Sequence, residues 1–184
     1  FDLIAYSAKI WGLLAMRLGS CDLIPLDHMA QANSLVDYVA TIEAADAGLD
    51  VAELRNAVSN FKSIANVFYN TCERRCNLNS DDAAQKLRGS SRAKTFDGVA
   101  ITVDECNEKI TMVEREFLIP DGGLPRRPWF KHVLQAPGMH LGYAAEAFPG
   151  IQQALDDGDW DLAKQQVKVA ADRVQAAADF MQFW

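Results

Sequence analysis

Three histidines, His28, His132 and His140, are the imidazoles from which this 184-residue sequence could build a metal site or a general base. A catalytic zinc needs three or four His, Asp, Glu or Cys ligands converging at suitable spacing. No His-Glu-x-x-His motif occurs, so no metal ligand is assigned within the chain. Cys72, Cys76 and Cys106 could be drawn as a thiolate cluster, but Cys72 and Cys106 fall on apolar helical stripes. Buried reduced thiols are expected there, ahead of a disulfide or a metal. A Ser or Cys nucleophile requires a neighbouring base and a group to orient that base, and no local motif supplies them. Ser90 and Ser91 beside Gly89 read as a polar connector, because the strand and Lys-Ser/Thr signature of a phosphate cradle are missing. No catalytic residue is assigned.

The most distinctive string is Ala136-Pro-Gly-Met-His-Leu-Gly-Tyr-Ala-Ala-Glu-Ala-Phe-Pro-Gly150. His140, Tyr143 and Glu146 are spaced three apart, so a helical turn would set an imidazole, a phenol and a carboxylate on neighbouring positions. The alternative is that Tyr143 and His140 satisfy each other or the backbone at a loop corner.

The elements that must position these groups are helices. Val51, Leu54, Val58, Phe61, Ala65, Phe68 and Cys72 alternate by three and four, with Asp50 as N-cap and Glu53 three residues on. Such spacing keeps one face apolar and demands a partner helix. Residues 103–117 repeat it through Val103, Cys106, Ile110, Val113 and Phe117, before Pro120 stops the run. At the C-terminal end Asp159 caps a stripe of Trp160, Ala163, Val167, Ala170, Val174, Ala177 and Met181, whose alanines admit a close neighbour. Residues 27–46 form a weaker helix facing inward through Leu35, Val39 and Ile42. Phe1 to Leu18 is helical but apolar on more than one side, which predicts burial against further protein. Between Pro120 and Gly150 lie five of the six prolines and five of the eleven glycines, an irregular stretch of the kind that does interface or functional work. With no strict apolar-polar alternation, the expected fold is all-α: one domain over residues 1–184, a four-helix-bundle-like core with a long Pro/Gly-rich loop before the last helices.

Composition narrows the partners. The net charge of −7 sets a repulsive average field against nucleic acid. The longest apolar run, Ile10 to Met16, is far shorter than the roughly 20 residues of a membrane span, and no membrane contact is expected of this segment. The chain opens at Phe1 with an apolar helical pattern already under way, as expected of a piece of a longer protein.

Met112-Val-Glu-Arg-Glu-Phe-Leu-Ile-Pro-Asp-Gly-Gly-Leu-Pro-Arg-Arg-Pro-Trp-Phe-Lys-His-Val133, the loop quoted above and Val169 to Ala178 together resemble the transferrin-receptor-like dimerisation domain. This is the C-terminal helical domain of glutamate carboxypeptidase II-like zinc peptidases and of transferrin receptor. The most specific parts are the Leu-Pro-x-Arg-Pro and Phe-Pro-Gly motifs. The resemblance implies a bundle that packs on its own upstream peptidase domain and forms a homodimer. Zinc and the general base are implied only for that upstream domain, with no cofactor and no catalysis in this chain. It also implies a lumenal, vacuolar or extracellular setting. In the glutamate carboxypeptidases a Lys-Tyr pair in this loop recognises the terminal glutamate of the substrate. The matching positions here are Gly142 and Tyr143, so the resemblance implies substrate-binding roles for Tyr143 and His140, with the phenol kept and the ammonium lost. Relatives of this kind include non-enzymes, so a catalytically inactive receptor or sorting adaptor is the alternative parent.

Overall fold

The computed structural model describes residues 2–45, 48–86, 101–139 and 145–183. Its described elements are helices α1 (Asp2–Ser20), α2 (His28–Ala45), α3 (Ala52–Lys86) and α4 (Val103–Met112), a 3-10 turn (Val113–Phe117), strands β1 (Gln135–Pro137) and β2 (Ala145–Ala147), and helices α5 (Pro149–Asp156) and α6 (Trp160–Met181). The fold is all-α, with one two-stranded antiparallel ribbon that pairs Ala136 with Glu146.

The apolar stripes meet as their spacing predicts. Every stripe residue of α3 from Val51 to Cys72 is buried, and α6 packs along that face. On α6 the buried set is Ala163, Val167, Ala170, Ala171, Val174, Ala177, Ala178 and Met181. Ala171 and Ala178 widen the expected stripe because α6 is covered by α5 and the 3-10 turn as well as by α3. Trp160, expected on the stripe, is instead 43% exposed at the first turn. Phe61 meets Phe117 edge to face at 5.6 Å, which locks the 3-10 turn onto α3.

Helix ends follow local chemistry. The Asp159 side chain accepts from the Leu162 backbone N–H at 3.0 Å and caps α6. Thr102 and Glu105 form a reciprocal capping box at the start of α4. Asp50 accepts from the Ala52 N–H at 2.9 Å, just ahead of α3. Two boundaries differ from expectation. α3 continues past Cys72 to Lys86, with no glycine or proline between them to interrupt it. The 103–117 helix tightens to 3-10 geometry after Met112, which closes its last carbonyls before Pro120, a residue with no N–H to offer.

α1 is the exception to the packing. None of its described residues is buried.

Candidate functional site

The irregular stretch is organised by a buried arginine. Leu124 and Arg127 close a tight turn, with the Arg127 N–H bonded to the Leu124 carbonyl at 3.1 Å and the Phe130 N–H to the Arg127 carbonyl at 3.0 Å. Gly123 is required there, because a Cβ would lie 2.2 Å from the Pro128 carbonyl oxygen. Arg126 occupies the left-handed region at φ 60° and ion-pairs with Asp157 at the end of α5. This geometry turns Arg126 outward and Arg127 inward, which accounts for the Leu-Pro-x-Arg-Pro motif.

The Arg127 side chain is 5% exposed. Its Nη1 donates to the Pro137 carbonyl at the end of β1, and its guanidinium lies 5.7 Å from the centre of the Phe130 ring. Nη2 stands 3.8 Å from Glu146 Oε2 on β2. Both of those atoms are buried and have no hydrogen-bond partner among the described residues. A guanidinium out of water is stable only beside a counter-charge, so Glu146 is the group that makes its burial tolerable. The carboxylate also covers Gly138, where a Cβ would sit 2.5 Å from Glu146 Oε1. Arg127 thus ties both strands of the ribbon, and with them the two ends of the segment 138–144.

The other end of the ribbon is fixed by Phe-Pro-Gly. Phe148 is fully buried at φ 45°, and its N–H bonds to the Leu134 carbonyl at 3.0 Å. Pro149 then starts α5 at a position that needs no donor. Gly150 lets α5 approach α6, since a Cβ would fall 2.3 Å from Gln166 Oε1. The hollow beside it, lined by Leu124, Val133, Phe148 and Ala170 among others, has a volume near 10 Å³, far below the about 300–1,000 Å³ of ligand pockets.

Of the residues singled out in the loop, Glu146 is placed against Arg127, while His140 and Tyr143, with Gly142, lie outside the described residues. The remaining histidines join a different network. Glu114 accepts from Gln31 Nε2 at 3.0 Å through one carboxylate oxygen and meets His132 Nε2 at 2.9 Å through the other. The Leu134 N–H donates to His132 Nδ1 at 3.2 Å, which leaves the Nε2 proton for Glu114. His28 bridges Gln31 Oε1 and the Ile110 carbonyl, each at 3.2 Å. The His132 bond, aided by Gln31 and the His28 charge, holds the Glu114 carboxyl below the ordinary glutamate range against the opposing effect of burial. This network straps α2 to the 3-10 turn and to the approach to β1. Among the described residues, no three His, Cys, Asp or Glu side chains are grouped to hold a metal.

Arg127 is the residue that sequence reasoning passed over. Its signal was present as a second arginine between two prolines, one of which had to face inward.

The described residues form a helical bundle that carries a short ribbon on a buried arginine, with one long apolar helix uncovered. The profile of the transferrin receptor-like dimerisation domain matches residues 49–182, and the chain belongs to that family. It is 27% identical over 180 residues to a probable glutamate carboxypeptidase of Arthroderma benhamiae, covering 92% of this chain and 22% of that protein. It is 30% identical over 149 residues to a probable glutamate carboxypeptidase of Arabidopsis thaliana, covering 80% and 19% respectively. A third relative of the same description, from Zea mays, is 27% identical over 164 residues, covering 85% and 21%. The chain therefore spans about a fifth of the length of the curated relatives it matches.

Proposed function

We propose that this chain is the homodimerisation domain of a glutamate carboxypeptidase-like zinc metallopeptidase. In this reading residues 1–184 act as one domain without catalysis of its own, and the 136–150 loop borders the substrate pocket of the upstream peptidase domain. The observation that carries the reading is the uncovered α1. Nine of its large apolar side chains are 47–82% exposed, including Leu3, Ile4, Trp11 and Met16, far more than a domain working alone leaves in water. Zinc chemistry is assigned to the upstream domain, and no step here runs through it.

Tyr143 and His140 are the loop residues proposed for the pocket rim. A phenol can donate one hydrogen bond to a substrate carboxylate. Gly142 removes the ammonium that relatives place beside it, a charge-assisted contact of about 1.5–3 kcal/mol, so selection for a terminal glutamate is weaker here. The same glycine favours a second reading, a catalytically inactive receptor or sorting adaptor.

Light scattering on the full-length protein after size-exclusion chromatography tests the dimer: twice the chain mass is expected, and a monomer at tens of micromolar overturns it. Peptidase assays on the same sample separate the enzyme from the adaptor. In an active parent, Tyr143→Phe raises KM with little change in kcat, and unchanged kinetics remove the residue from the pocket.

A further inference from the structure

All four cysteines are thiols and are spread from position 21 to position 106, yet the fold gathers them along the second half of α3. Cys72 and Cys106 are 1% and 0% exposed, lie in the same apolar core, and face each other from α3 and α4 with the thiols hydrogen-bonded. Cys76 is half-buried one turn further along α3, where the backbone of Leu23 meets it. Asn107 fixes that approach, accepting from the Ile24 N–H at 2.9 Å and donating to the Asp22 carbonyl at 2.7 Å.

We propose that Cys72 and Cys106 are a redox pair, closing to a disulfide that joins α3 to α4 when the protein meets an oxidising small-molecule disulfide such as oxidised glutathione. Other pairings fit less well. Cys72 and Cys76 share a helix face at i and i+4, where Cβ atoms are about 5–6 Å apart, beyond the roughly 3.5–4.5 Å of a disulfide. Cys21 is exposed, and the cysteine it lies near is Cys76 rather than the buried pair.

The exchange balances in two steps. One protein thiolate attacks a sulfur of the small disulfide, forming a mixed disulfide and releasing one small thiol. The second protein thiolate attacks the protein-side sulfur, forming the Cys72–Cys106 bond and releasing the other small thiol. Two electrons pass from the protein sulfurs to the reagent, and the two protons leave on the released thiols. Mutual contact and burial push the Cys72 thiol well above its ordinary range, with Lys109 the opposing influence, so the first attack is slow and needs local opening. The second is fast, because its partner is already in contact. The bond closes the loop from residue 72 to residue 106 and ties α3 to the helix beyond it.

The full-length protein is equilibrated in graded mixtures of reduced and oxidised glutathione, quenched in acid, alkylated in denaturant and digested with trypsin. Cleavage after Lys62, Arg74, Arg75, Lys86, Lys94 and Lys109 places Cys72, Cys76 and Cys106 on separate peptides, 63–74, 76–86 and 95–109. The expected product is peptide 63–74 joined to 95–109, lighter than the reduced pair by two hydrogen atoms, rising with the oxidised fraction and lost on adding dithiothreitol. Cys76→Ser must leave that product intact, and Cys106→Ser must abolish it and keep Cys72 open to alkylation. Cys72 and Cys106 both fully alkylated after oxidation, each capped by glutathione, or a link running instead to 76–86, overturns the pair. The wild-type digest decides this by itself, whatever the folding of the variants.

Discussion

Arg127 concentrates the loop's electrostatics in one side chain, because a single guanidinium spans Pro137, Phe130 and Glu146. Arg127→Met should destabilise the protein by about 3 kcal/mol or more, since it leaves the Glu146 carboxylate without its cation. Arg127→Met with Glu146→Met should recover most of that loss, and denaturant melts of the two single variants and the double variant measure the coupling. Strict additivity would mean that the two charges do not act as a pair. Glu114 carries a pH dependence of definite sign. Its folded pKa is depressed, so its contribution is full above the unfolded glutamate value of about 4.3 and is lost as pH falls through the lower folded value. The carboxylate is half exposed and screened by solvent, so the effect is modest. The stability gap between wild type and Glu114→Gln should be widest near neutral pH and shrink on acidification below the ordinary glutamate range. A gap independent of pH would detach the network from stability.

The long helices were legible in the sequence because one physical signal, apolar spacing of three and four, fixed both their existence and their buried faces. Val51 to Cys72 on α3 and Ala163 to Met181 on α6 are buried in the positions that spacing requires. What the pattern could not tell was where such a stripe stops mattering. α3 runs on past Cys72 because no glycine or proline interrupts it there, whereas apolar stripes end where neighbours end. The loop was not legible as a structure. The geometry of its described flanks comes from an internal charge pair and a left-handed Phe148, neither of which has a period. The alanines of α6 permit a direct test of the close approach inferred from composition. Ala177 is fully buried, and Ala177→Leu should cost about 1–3 kcal/mol through overpacking, whereas a cavity at that site would let it stabilise. Thermal unfolding distinguishes the two.

At the scale of the whole molecule α1 stands apart, since its 19 residues carry apolar side chains on all sides and none of them is buried by the described residues. Most helical stability in proteins comes from packing an apolar face rather than from propensity, so persistence of α1 requires a cover. The family to which the chain belongs offers two: a second copy, and the protein that makes up the rest of relatives roughly five times longer than this segment. Hydrogen exchange tells them apart. In the full-length protein the amides of residues 2–20 should exchange slowly, and they should exchange at unfolded-chain rates once residues 1–184 are isolated at low concentration. Where the second copy is the cover, protection in the full-length protein rises and falls with the dimer fraction as concentration is varied. Protection independent of concentration assigns α1 to the upstream domain and moves the dimer contact to other exposed apolar residues, such as Val67 and Tyr69 of α3 or Trp129 beside the loop. Rapid exchange of α1 in the full-length protein at every concentration would remove both covers, and with them the observation on which the dimerisation reading stands.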